Sequence, residues 1–156
     1  MTGMTENTEL CRMGEGRRLT LPDATVTALS TGAHAGGAYE LFLVEAPRTE
    51  PPPLHAEPWA KSYHVLTGRI LVRAGTEVHE LAGGDTITVA AGTMNSFTVL
   101  TGTATFLLIA AGTSMSGFFG ALEGLASPQS PGESARALRA VADRYGVALA
   151  TEAGAP

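Results

Sequence analysis

Between Lys61 and Ile109 the chain repeats one short unit: a few residues that alternate in polarity, then a turn built around glycine. Candidate strands fall at Lys61 to Leu66, Arg69 to Arg73, Glu77 to Leu81, Thr86 to Val89, Ser96 to Leu100 and Thr103 to Ile109. The intervals hold Thr67-Gly68, Ala74-Gly75, Gly83-Gly84-Asp85, Ala91-Gly92 and Thr101-Gly102, each suited to a turn. Short strands with this rhythm predict a sandwich or barrel. Upstream, Arg18 to Leu21 and Thr25 to Leu29 alternate around Pro22-Asp23, as two strands joined by a turn would. After the break at Gly36-Gly37, Ala38 to Glu45 reads as another strand. Tyr39, Leu41 and Leu43 lie on one face and Phe42 and Val44 on the other, and both faces are expected to be covered. Pro51-Pro52-Pro53 blocks ladder pairing and makes a stiff, extended lead into the stretch from Leu54 to Gly68.

Composition agrees with a mostly β chain: 44% apolar, 16% charged, with 19 glycines and 9 prolines. At 156 residues, one domain can bury about 70% of its unfolded surface. The net charge of -5 and the lack of a basic cluster beyond Arg17-Arg18 exclude a phosphate-backbone footprint, so no nucleic-acid partner is expected. Cys11 is the single cysteine and has no internal disulfide partner. No signal-peptide core is present, and the longest apolar run, Phe106 to Ala111, is too short to span a bilayer. These features predict a soluble cytoplasmic protein with no membrane partner.

Residues 1–15 are polar and aperiodic and read as a flexible tail, leaving 16–112 for the barrel. The period changes after Gly112, so 113–156 reads as a helical extension packed on the barrel. Met115, Phe118, Phe119 and Leu122 fit one helical face. Ser130-Pro131-Gly132-Glu133 resembles a helix start, with Ser130 as N-cap. A buried stripe of Ala135, Leu138, Val141, Ala142 and Tyr145 comes next, and Gly146 stops the helix.

Two segments carry a family resemblance. Pro51 to Gly68 reads PPPLHAEPWAKSYHVLTG, and Gly84 to Phe97 reads GDTITVAAGTMNSF. They resemble the two motifs of the cupins, G-x5-H-x-H-x3,4-E-x6-G and G-x5-P-x-G-x2-H-x3-N, in the form found in small quercetin-dioxygenase-like members. Gly68, Gly84, Asp85 and Gly92 match the turns, and Gly117-Phe118-Phe119 and Arg144-Tyr145-Gly146-Val147 match the tail. The resemblance implies a double-stranded β-helix, or jelly-roll barrel, with C-terminal helices. It also implies a homodimer formed through sheet edges and exchanged N-terminal strands. Of the family's metal ligands only His55 is kept. Glu57 stands at the second histidine, Lys61 at the glutamate and Asn95 at the third histidine, while Ala90 replaces the motif proline.

Strand alternation puts Lys61 and Tyr63 on one face and His64 on the other. An inward Lys61 ammonium opposes a metal, so no cofactor is expected. The alternative is Fe, Ni, Mn or Zn held by His55 and Glu57, as in a quercetinase-like dioxygenase. Without a metal, Lys61 supplies the positive charge for an enolate or phenolate, and His55 or Glu57 moves a proton, the carboxyl raised by burial. His55, Glu57 and Lys61 are then the expected catalytic set. Trp59, Tyr63, Met94, Asn95 and Phe97 are the expected substrate contacts, with Trp59 as a stacking wall. His34 and His79 are expected to face solvent. The implied substrate is a hydrophobic, oxygenated small molecule, such as a polyketide-like intermediate of specialised metabolism, that is cyclised, isomerised or dehydrated. Two other readings use the same residues: a non-catalytic small-molecule binder, and a Glu57–Lys61 ion pair that plugs a pocket without chemistry.

Overall fold

The computed structural model describes residues 3–4, 7–125 and 131–150. Strands β1 (Gly3–Met4) and β2 (Glu9–Leu10) pair as a small hairpin within the segment expected to be a tail. The barrel strands are β3 (Arg17–Thr20), β4 (Thr25–Ser30), β5 (Tyr39–Pro47), β6 (His55–Ala56), β7 (Lys61–Thr67), β8 (Ile70–Ala74), β9 (Glu77–Leu81), β10 (Thr86–Val89), β11 (Asn95–Val99) and β12 (Thr103–Ala111). Helices α1 (Met115–Glu123) and α2 (Pro131–Tyr145) come after them, and β13 (Ala148–Leu149) returns to the barrel. One sheet has the order β10-β7-β12-β5-β4-β3, the other β13-β6-β11-β8-β9, with antiparallel pairing throughout.

The pleat explains the core. Phe42, Val44 and Ala46 of β5, Tyr63 and Val65 of β7, and Ala104, Phe106 and Leu108 of β12 are buried at alternate positions. Their cross-strand register stacks Val65, Phe106 and Val44 side by side. Against them the five-stranded sheet sets Ile70, Val72, Leu81 and Val99. Gly68 makes the β7–β8 turn at φ +76°, where a Cβ would lie 2.4 Å from the Thr103 carbonyl oxygen, so no side chain fits.

Met115, Phe118 and Phe119 bury one face of α1 as the helical spacing requires. Gly117 lets α2 approach closely: a Cβ there would sit 3.0 Å from the Tyr145 hydroxyl. Two expectations need correction. Ala135 is exposed, because the inner side of α2 runs through Ser134, Leu138, Val141 and Ala142 instead. The outer face of β5 is only partly covered, with Tyr39 exposed. Ser130, expected as the N-cap, lies outside the described residues. No described helix is long and apolar enough to cross a membrane.

Candidate functional site

The site forms where the chain crosses from one sheet to the other. Asn95, first in β11, pairs with His55 of β6, and Lys61 opens β7 after a four-residue crossing that contains Glu57. The β10–β11 turn holds that crossing in place, its Gly92 N–H donating to the Glu57 carbonyl at 2.8 Å. Lys61 and Tyr63 fall on the inward side of β7, while His64 faces out and bonds Thr86 Oγ1 at 2.6 Å. His34 and His79 are exposed.

Glu57 is the hub. Lys61 Nζ donates to its Oε2 at 2.5 Å, Asn95 Nδ2 donates to its Oε1 at 3.1 Å, and His55 Nε2 lies 3.3 Å from Oε2. Tyr63 Oη donates to Asn95 Oδ1 at 3.1 Å, and Asn95 Nδ2 also reaches the Thr93 and His55 carbonyls at 2.9 and 3.2 Å. His55 Nδ1 sits 2.8 Å from the Pro53 carbonyl, so the proline run fixes the imidazole. Glu57 and Lys61 are 3% and 5% exposed, which makes mutual neutralisation a requirement of folding.

The electrostatics reverse one expectation. Burial alone would raise the Glu57 carboxyl, but the His55 hydrogen bond and the Lys61 charge hold it down at about 2. Glu57 is therefore a fixed anion at neutral pH, not a proton carrier. Burial opposes the Lys61 charge, yet the phenolate that Tyr63 would form and the Glu57 carboxylate together raise its pKa. Tyr63 is raised by burial, against the pull of Lys61.

The cluster forms the polar part of a cavity of about 490 Å³. Its apolar walls include Phe97 and Phe106 from the barrel and Met115, Phe118 and Leu122 from α1. Comparison with known proteins bears on the fold that encloses it. No protein-family model and no curated protein matches the chain. Solved structures do: KdgF from Halomonas sp. superposes with a TM-score of 0.59 at 14% identity, over 66% of this chain and 92% of that one. Oxalate decarboxylase from Bacillus subtilis gives 0.60 at 15%, over 72% of this chain and 31% of that one. The DMSP lyase DddQ from Ruegeria pomeroyi gives 0.51 at 18%, over 58% and 47%.

The chain has the cupin fold. Within that cupin frame, His55, Glu57, Lys61 and Asn95 occupy the positions that the motifs assign to metal ligands, and their chemistry does not fit a cation. An ammonium lies against the carboxylate oxygen that would bind it, and the Asn95 carbonyl oxygen already accepts from Tyr63. Among the described residues no cluster of three or more His, Cys, Asp or Glu side chains is placed to hold a metal.

His55, Glu57, Lys61, Tyr63 and Phe97 line the cavity. Asn95 is buried behind them and joins the cluster through its bonds to the Glu57 carboxylate, the Tyr63 hydroxyl and the His55 carbonyl. Trp59 and Met94, expected to touch substrate, are not among the lining residues. Trp59 instead packs edge-on against Phe118 at 6.1 Å, so it backs the wall and does not form it. Asp23 joins the site without any sign in the sequence, where Pro22-Asp23 is no more than a turn. That turn faces the cavity, and burial raises the Asp23 carboxyl while its own backbone N–H and the His55 charge pull the other way. Inward alternation of β12 does mark Phe106 and Leu108, both of which line the cavity.

Proposed function

We propose that this cupin is a metal-independent enzyme that moves a proton on a carbon next to a carbonyl group in a hydrophobic, oxygenated small molecule. The observation that carries the reading is the Lys61 ammonium, paired to Glu57 at 2.5 Å and lining an apolar cavity of about 490 Å³. In so apolar a site one well-placed N–H donor stabilises a developing enolate oxygen by about 3 kcal/mol. The Pro53 carbonyl can only accept, so it takes the His55 Nδ1–H and leaves Nε2 of the neutral ring to receive the substrate proton. The imidazolium so formed is the state that donates to Glu57 and holds its carboxyl down. The imidazolium then meets Glu57 Oε2, and the proton returns to the substrate from Nε2. Cyclisation, isomerisation and dehydration of a polyketide-like aromatic all contain this step. The surviving cavity favours a ligand over an ion pair that merely plugs the barrel.

Two measurements test the reading. Protein purified without chelator should hold no stoichiometric Fe, Ni, Mn or Zn, and a bound metal at His55 and Glu57 would instead favour the oxygenase alternative. Protein in D2O should exchange the α-hydrogens of 1-tetralone, followed by mass spectrometry. Lys61→Met should slow the exchange by about 100-fold or more. Saturable binding of 1-tetralone without exchange would identify a binding protein.

A further inference from the structure

The turn between β3 and β4 is drawn into the cavity instead of lying in solvent. Thr20 pairs with Thr25, and the Leu21 N–H donates to the Ala24 carbonyl at 2.8 Å, so Pro22 and Asp23 form the tip of a tight hairpin. Leu21 and Ala24 are each 8% exposed, and all four residues line the cavity. A hairpin tip ordinarily runs over the surface, where an aspartate is well solvated. Here the Asp23 carboxyl shares an apolar space with Pro52 and Phe97 and makes no ion pair among the described residues. The His55 charge acts on Asp23, and the Asp23 charge acts in turn on the Tyr63 hydroxyl, so the turn and the Glu57 hub border the same space. The other polar groups there are committed: Glu57 is a fixed anion, Lys61 is tied to it, and Tyr63 donates to Asn95. Asp23 is a carboxyl that still has a proton to give, and its ionised form costs stability where it stands.

Building on the proton abstraction proposed for His55, we infer that Asp23 is a second catalytic residue, a general acid that protonates the leaving oxygen of a β-hydroxy ketone, which makes the reaction a dehydration. His55 Nε2 takes the α-proton, and the electron pair of that C–H bond forms the enolate, whose oxygen meets the Lys61 ammonium. As the enolate collapses, its electrons form the Cα=Cβ bond, the Cβ–O bond breaks, and the Asp23 carboxyl proton moves to the departing oxygen. An enone and water are released. The imidazolium proton then passes through that water to the Asp23 carboxylate, so no acid or base is consumed. His55 cannot serve both oxygen and carbon, because its Nε2 holds the α-proton against Glu57 Oε2 while the Cβ–O bond breaks. The order of events follows from the surroundings of Asp23. Burial favours its protonated form, and the charge that His55 gains on taking the α-proton pulls the other way, so the proton is given up after abstraction and not before. Hydroxide is a poor leaving group, and a positioned acid speeds its departure by about 10²–10⁴-fold. A cavity of about 490 Å³ is large enough for a drug-sized ligand, with the carbonyl at Lys61 and the β-hydroxyl at Asp23.

The probe is 3-hydroxy-1-tetralone, which loses water to an enone that tautomerises to 1-naphthol and is followed by fluorescence. The full wild-type chain should release 1-naphthol faster than buffer alone. Asp23→Asn should slow that release by about 100-fold or more beyond any slowing of α-hydrogen exchange from 1-tetralone in D2O. The 3-acetoxy analogue, whose acetate leaves without taking a proton, should recover most of the loss in Asp23→Asn. A merely structural role for Asp23 would not produce that rescue. Equal losses on the hydroxy and acetoxy probes, or release of 1-naphthol by Asp23→Asn at the wild-type rate, would overturn the inference. So would a wild type that exchanges 1-tetralone but leaves 3-hydroxy-1-tetralone intact. A wild type that does neither fails earlier, at the His55 step, and removes the role of Asp23 with it.

Discussion

Two rows of residues inside this barrel use the same three strands and differ in everything else. Val65, Phe106 and Val44 lie side by side across β7, β12 and β5, and a few residues further along the strands Lys61, Ala110 and Glu40 do the same. All six are buried. The pleat sends each inward without regard to its chemistry, so the surroundings must make the second row tolerable. The apolar row needs only packing. Lys61 needs Glu57, supplied by the β6–β7 crossing, and Glu40 receives the Ser116 N–H of α1 on one oxygen at 3.0 Å. The other Glu40 oxygen is buried with no hydrogen-bond partner among the described residues. Where the barrel is closed by its own side chains it is inert, and where partners arrive from outside the strands it gains charge.

The strongest way to break this contrast is to remove the partner. Glu57→Gln leaves the Lys61 ammonium buried and uncompensated and should cost about 3–5 kcal/mol in urea unfolding. Adding Lys61→Met should recover most of that loss, because the two changes share one interaction. A loss below about 1 kcal/mol for Glu57→Gln would mean that the second row needs no partner.

Acid should sharpen the contrast next. The Glu57 carboxyl sits at about 2 in the fold against an ordinary 4.5, so its contribution is complete above 4.5 and is lost as pH falls through about 2. That shift corresponds to about 3 kcal/mol, and Glu57→Gln should flatten the acid limb of stability measured from pH 5 to pH 2. In the apolar row, Val65→Ala should cost about 2 kcal/mol through lost burial and a cavity, with the acid limb of the parent kept. A changed acid limb in that variant would show that the rows are not independent. The smallest effect belongs to Asp23. Its carboxyl is raised in the fold, so the ionised form costs stability, which rises as pH falls through the folded pKa. Asp23→Asn should therefore give a slight gain in melting temperature at pH 7 that disappears in acid.

The strands are legible in the sequence because period-two polarity and glycine turns are local signals. Glu77–Leu81 and Thr86–Val89 match the expected strands residue for residue, and other bounds move by one or two positions. The inward direction of Lys61 and Tyr63 comes from the same alternation. What escapes such signals is set by distant chain. β6 and β13 are two residues each, too short for any period, and exist because β6 pairs with β11 on one side and β13 on the other. Trp59 sits beside site residues in sequence, but packing against Phe118 turns it to the back of the wall. Burial of Glu57 by itself predicts a raised pKa. His55 and Lys61, close to Glu57 in sequence but brought onto its carboxylate only by the β6–β7 crossing, reverse that sign.

Sequence by itself determined the barrel, the residues that face its interior and the presence of an ammonium where the family motifs have a ligand, because pleat and turn chemistry act over a few residues. Tertiary structure alone decided that this ammonium is neutralised by Glu57 and that Asp23 and α1 complete the cavity. Charge pairing, burial and exposure depend on which segments meet, and only the folded sheets bring those segments together.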